Sequence, residues 1–200
     1  MTTAGQLSFA NVNNYVSASE MLEQNGAQWD PSWARSLRKD SLARFKEIGF
    51  PTARRGNEEW KYTDISPIAR IPFEIVLTTN TEHITDNDVL KFTLNTASCN
   101  KMVFVDGQFA EHLSSISSLP EGAYVTNLAD AMKKQIPAAK NNLAQHALYS
   151  DSAFIALNTA FLHHGAFLYI PDGAFVADPI HVLSLFNTHE RERAFHPRML

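Results

Sequence analysis

The chain is poor in the residues that most often advertise chemistry. It holds one cysteine, Cys99, in 200 residues. A single thiol closes no intramolecular disulfide, so a disulfide-framed secreted scaffold is excluded. It also supplies one ligand where an iron–sulfur cluster generally takes several, and there is no CxxC spacing to add more. No run of about 18 apolar residues occurs, which excludes a helical membrane span. The opening MTTAGQLSFANVNNYVSASE has no charged region followed by an apolar core, so it does not read as a signal peptide. GxxxxGKS/T, GxGxxG, GxSxG and HExxH are all absent, which removes the commonest nucleotide-binding, hydrolase and zinc-protease signatures. Basic charge is short as well. Seventeen Lys and Arg against 21 Asp and Glu give a net charge of −4, the wrong sign for a typical nucleic-acid binder. The expectation is a cytoplasmic protein with no nucleic-acid or membrane partner.

What is present is apolar and aromatic. Thirteen phenylalanines point to thick apolar packing. Phe9, Val12, Tyr15, Val16, Ser19 and Leu22 recur at helical spacing, and Gly26 stands where a glycine ends a helix. A second helix has Asp30 to cap it, Pro31 in its first turn, and Gly49 with Pro51 to stop it. Trp33, Leu37, Phe45 and Ile48 mark its inner face; Arg35, Arg38, Lys39 and Lys46 mark the others. The pair reads as a helical hairpin.

Pro51, Gly56, Pro67 and Pro72 then break any long helix. Asp86 to Phe92 is ambiguous. Lys101 to Phe109 reads as two strands turning at Asp106-Gly107, a strong hairpin signal. Gly122 to Thr126 is a further strand. Helices are expected over Asn127–Gln135, capped by Asn127 with Pro137 beyond its end, over Asn141–Tyr149 and over Ser152–Phe161. Two apolar runs close the chain, Ala166–Ile170 and Ile180–Phe186, around a Pro171-Asp172-Gly173 turn. There proline presets φ at the second turn position and glycine takes a positive φ. Each run has strand length and must bury a face against a neighbour. The organisation is helical over 1–80, mixed over 81–150 with the hairpin at 103–109, and strand-rich over 151–200: an α+β chain.

Candidate chemistry is thin. His163 and His164 are adjacent, so in a strand their rings point to opposite faces and in a helix they diverge by about 100°. His189 and His196, with Glu190 and Glu192, read as a surface loop. Cys99 reads as a partly buried structural thiol. Trp60 and Tyr62 in Glu58-Glu59-Trp60-Lys61-Tyr62 either anchor a partner or pin an irregular segment onto the hairpin. Asp64 reads as a turn contact, and Asp172-Gly173 as a turn. No residue is assigned a catalytic, cofactor-binding or metal-binding role.

Four segments carry a resemblance: NEEWKYTD (57–64), VFVDGQF (103–109), IALNTAF (155–161) and GAFLYIPDGAFVADPIHVL (165–183), with HPRML at the end. Together they resemble the SufB/SufD family of scaffold proteins of iron–sulfur cluster assembly, and the EEWKYTD form is closer to the SufD branch. The resemblance implies a helical N-terminal domain leading into a right-handed parallel β-helix. It implies a non-enzymatic scaffold working with SufB and the ATPase SufC, in a complex that handles an iron–sulfur cluster. In the family, SufC docking and cluster building belong to the later β-helix and the C-terminal helices, so no functional residue is carried over and no cofactor is expected here. The apolar ending AFHPRML and the single coil of strands lead to the expectation that the chain stops inside a β-helix and self-associates through its last strands. Two other classes compete. A carbohydrate-active β-helix enzyme such as a polysaccharide lyase requires Asp, Arg and Lys clustered on one solenoid face, which residues 150–200 do not show. A stand-alone interaction domain is the other.

Overall fold

The computed structural model describes residues 4–25, 27–51, 58–93, 99–117, 119–186 and 192–200, with side chains from residue 12 onward. The expected stop at Gly26 lies outside them. The helices are α1 (Ala4–Asn25), α2 (Ser32–Ile48), α3 (Ser66–Arg70), α4 (Asp86–Leu90), α5 (Leu128–Lys133), α6 (Pro137–Asn142) and α7 (Ala153–Ala160). The strands are β1 (Glu74–Ile75), β2 (Asn100–Val105), β3 (Gln108–Phe109), β4 (Tyr124–Asn127), β5 (Gly165–Tyr169), β6 (Ile180–Leu185), β7 (Arg193–Ala194) and β8 (Arg198–Met199). They gather into two compact units, each drawn from separate stretches of sequence. The first is Met1–Leu77 with Ala144–Leu162 and Glu190–Ala194; the second is Thr78–Leu143 with His163–His189 and Phe195–Leu200.

In the first unit, α1, α2 and α7 enclose an aromatic core. Tyr15 meets Phe45 at 5.7 Å, Phe50 at 6.0 Å and Phe161 at 6.0 Å between ring centroids, all edge-on. Edge-on placement sets the positive rim of one ring against the negative face of the next. Burial holds the Tyr15 phenol above its ordinary pKa by disfavouring the phenolate. Gly49 ends α2 at φ 63°, its N–H donating to Phe45 O at 2.8 Å, as its position past the last apolar residue implied.

Two expectations for α2 are corrected. Asp30 does not cap it: the helix starts behind Pro31 without a side-chain cap. Arg38 is not on a solvated face. The buried stripe is Ala34, Arg38, Ser41 and Phe45, leaving Trp33, Leu37 and Ile48 half-buried. Arg38 is 1% exposed. It donates from Nε to Glu23 Oε1 at 2.6 Å, and from Nη1 to Asp30 Oδ2 and Leu162 O, both at 2.9 Å. Asp30 therefore compensates a buried guanidinium, which without partners would be prohibitive inside.

The second unit contains two three-stranded sheets, ordered β3-β2-β6 and β4-β5-β8. The β2–β3 hairpin forms as expected, with Asp106 at φ 49° and Gly107 at φ 79°, the two positive angles that a type I′ turn requires. β2 is covered on both sides. Met102 and Phe104 pack with Val125 and Ala166, while Val103 and Val105 pack with Val89, Ala110 and Leu113. A strand sandwiched in this way reads as an unbroken apolar run, since both alternating faces are dry. β5 and β6 do not form a hairpin. β6 pairs in parallel with β2, Asn100 opposite Ile180, and β5 pairs antiparallel with β4 and parallel with β8. The turn between them closes from Ala174 N to Pro171 O at 3.0 Å with Gly173 at φ 77°. Proline is thus the first turn residue, not the second, and glycine holds the positive-φ place assigned to it.

The remaining differences are local. The ambiguous segment at Asp86 is helical because Thr85 N donates to Asp88 Oδ2 at 3.2 Å, tying the first turn. Pro137 lies beyond the end of α5, as expected, and also opens α6, and the helix expected over 141–149 is largely replaced by turns. Proline at the first helical position loses no hydrogen bond, so it starts a helix as readily as it stops one.

Candidate functional site

The polar groups that sequence reading singled out do not converge. Among the described residues no three His, Cys, Asp or Glu side chains are grouped to hold a metal ion. Cys99 is partly exposed at the start of β2 and unbonded to another cysteine. His189 lies outside the described residues. His196, two residues before β8, is desolvated enough that its imidazole is pushed down to about 4, so it is neutral at pH 7. That environment differs from the surface loop expected of it.

Residues 163 and 164 lie in neither strand nor helix, and their rings meet edge to face at 4.4 Å. His164 Nδ1 is 3.2 Å from Asn127 Nδ2, and Asn127 Oδ1 accepts from Gly165 N at 3.3 Å. Asn127 was expected to cap α5. Its side chain instead fixes the entry into β5, and no cap hydrogen bond forms. At that entry the backbone of β8 passes so close that a Cβ on Gly165 would sit 1.8 Å from Arg198 O, so only glycine fits.

The acidic-aromatic segment divides its two aromatics. Trp60 packs on Phe154 of α7 at 5.4 Å. Tyr62 is 90% exposed with Lys61 Nζ 5.3 Å from its ring centre. Trp60 thus packs on α7 and not on the helical hairpin expected to receive it, while Tyr62 stands exposed. Asp64 accepts from Ser66 N and Oγ, both at 2.9 Å, at the start of α3. Those bonds favour its carboxylate and hold its pKa below the ordinary value.

What the structure does present is strand edge. Among the described residues β6 and β8 each pair on one side only, with β2 and β5 respectively. Beside β6 lies a groove of about 630 Å³ walled by Ile84, Phe92, Leu183, Leu185 and Phe186. Phe92 is 60% and Phe186 48% exposed. Residues 180–186 carry no Lys, Arg, Asp, Glu or Pro, the devices by which free edges are normally kept from pairing. Apolar side chains beside a strand edge are the setting in which strand addition occurs. No helix among the described residues is long and apolar enough to cross a membrane.

Helical hairpin, covered hairpin strand and parallel strand pairs define a mixed helix-and-strand protein. Residues 11–182 match the family model described as the SufBD protein N-terminal region, and the chain belongs to the SufBD family. A protein of Synechocystis sp. named as an iron–sulfur cluster assembly SufBD family protein is 29% identical over 147 residues, which is 72% of this chain and 31% of that protein. The chain thus spans about a third of the length of the curated relative that it matches.

Proposed function

We propose that this chain serves iron–sulfur cluster assembly as a SufD-type scaffold component, acting through protein partners and not as an enzyme. The observation that carries the reading is the family match over residues 11–182, together with the assembly role in the name of the Synechocystis relative. The partners it takes are SufB and the ATPase SufC, and its place is the cytoplasm. The SufD assignment rests on the Glu58–Asp64 form. The iron–sulfur cluster is read as cargo of the assembled complex, where a cluster generally takes several protein ligands and this chain offers one thiol, Cys99, partly exposed.

In the same reading β5, β6, β7 and β8 begin a right-handed parallel β-helix. Support comes from the parallel pairs β2–β6, β5–β8 and β1–β7. In β5–β8, Gly165 stands opposite Arg198, the one-coil advance of a solenoid whose coils stack edge on edge. The open edges of β6 and β8 are where a following coil would add.

The test is co-expression of the tagged whole chain with SufB and SufC from one source. Retention of both on the tag, through a salt wash, is the expected result. Recovery of the chain alone, folded by circular dichroism, overturns the partner assignment. Anaerobic incubation of the isolated chain with iron and sulfide tests the cargo assignment. Cluster colour that survives desalting in the wild type and vanishes in Cys99→Ser would make Cys99 a ligand.

A further inference from the structure

The face between α1 and α2 opens into a groove of about 680 Å³, floored by Val16, Leu42 and Ala43. Its charges are unequally used. Glu23 on the α1 wall is held by Arg35 Nε at 3.1 Å and Arg38 Nε at 2.6 Å. Glu20 opposite, and Lys39 and Lys46 on the α2 wall, line the groove, are exposed and enter no ion pair among the described residues. The two lysines are seven residues apart on one helix face, two turns or about 10 Å along α2. The groove therefore offers an apolar floor with two evenly spaced cations along one rim and a single anion on the other.

We propose that this groove receives an amphipathic helix of a partner protein that carries acidic residues at i and i+7 over Lys39 and Lys46. Both walls are helices whose backbone groups are already bonded, so no strand can add here and recognition falls to side chains. A helix laid along the groove presents an apolar stripe to Val16, Leu42 and Ala43, and its own two-turn repeat matches the spacing of the lysines. The occupant is acidic because the uncompensated charge is two cations against one anion. Exposed ion pairs add little affinity, so the apolar stripe supplies attachment while the lysines select sign and register. This surface is separate from the strand edges and goes beyond the assembly reading.

The probes are two fluorescein-labelled helical peptides of about 18 residues, roughly five turns, with the same leucine stripe. One bears Glu and the other Lys at the two positions seven apart. Anisotropy is read against the whole chain at low salt. The Glu peptide should bind about tenfold more tightly than the Lys peptide, and added salt should erode the difference. The double variant K39E/K46E, whose side chains are exposed and whose melting should not move, should reverse the order. Equal binding of the two peptides, no binding of either, or an unchanged order in K39E/K46E overturns the proposal. Such a failure leaves the scaffold reading standing, since co-purification with SufB and SufC decides that separately.

Discussion

The two units solve the same problem with different chemistry. The first unit puts a charge in its interior: Arg38, with Asp30 and Glu23 to balance it and Leu162 O to take a further hydrogen bond. Apart from the Asp106 carboxylate of the hairpin turn, 1% exposed, the second unit buries neutral amides. Asn100, 1% exposed, accepts from Ser117 N and Oγ, both at 2.8 Å, and Asn127 serves Gly165 and His164. An amide costs far less to desolvate than a guanidinium, and it needs no partner of opposite charge. The lesson is that the first unit is specified by an all-or-nothing network, and the second by separable bonds that each close one loop.

That contrast sets the largest expected effect. Arg38→Ala removes the cation that pairs with Asp30, whose side chain is 5% exposed. Breaking such a pair costs about 3–5 kcal/mol. Asn100→Ala, in the second unit, deletes an acceptor for two donors and should cost about 1–3 kcal/mol. Urea melts of both variants test the ranking. Equal losses, or a larger loss for Asn100→Ala, would break the comparison. Arg38→Met sharpens it when combined with Asp30→Leu: an apolar replacement of both partners should recover most of the loss.

Gly165→Ala comes next and lies wholly within the second unit. The added methyl meets the Arg198 carbonyl, so β8 must move off β5 and the Leu168 N to Leu200 O bond of 2.8 Å is lost with it. Overpacking of this kind costs typically about 1–3 kcal/mol. Hydrogen exchange should show lost protection at Leu168 and Leu200 with β2 unchanged. Unchanged protection at both amides would mean that the approach relaxes without cost.

How much of this was legible beforehand differs between the units for a physical reason. Local signals are legible where the chemistry is local: Gly49 past α2, Asp106-Gly107 in the hairpin, Gly173 in the turn. The burial of Arg38 is not, because a charged residue belongs by default on the solvated face. The stripe Ala34, Arg38, Ser41, Phe45 has regular helical spacing, with small residues making room for the guanidinium, and Asp30 lies eight residues before Arg38. That pattern was in the sequence, but Asp30 also fits a helix cap. The pairing of β2 with β6 joins residues about 80 apart, and no window of sequence periodicity reports a partner at that distance. The candidate surfaces were the least legible. A strand edge or a groove rim exists only once the neighbouring element is placed.

A pH dependence separates the units further, at a smaller scale. The His196 imidazole, in the second unit, is lowered to about 4 by desolvation from its ordinary 6.5. The unfolded chain therefore binds the proton more readily than the folded one. Its stabilising effect is complete above about 6.5, and is lost as pH falls from there toward 4. The ceiling is about 3 kcal/mol, from 1.36 kcal/mol per pKa unit. Denaturant midpoints at pH 7 and pH 4.5 should fall less in His196→Phe than in the wild type. Identical acid limbs would place the imidazole in water.

The smallest effect is expected where the helical pattern alone promised a large one. Leu37 has the spacing of a core residue on α2, and on that basis its truncation to alanine would cost about 2–5 kcal/mol. The buried stripe runs one position along, through Ala34, Arg38, Ser41 and Phe45. The half-buried residues against the aromatic core include Leu42 and Ile48 but not Leu37. Removing a half-buried side chain that does not pack on this cluster leaves little cavity in it, so only part of its transfer free energy is lost, about 1 kcal/mol or less. Phe45→Ala is the control, since Phe45 is 0% exposed and meets Tyr15 and Phe50 edge-on; it should cost about 3–5 kcal/mol. A Leu37→Ala midpoint that falls as far as that of Phe45→Ala would return Leu37 to the core and rotate the assigned face of α2 by one residue.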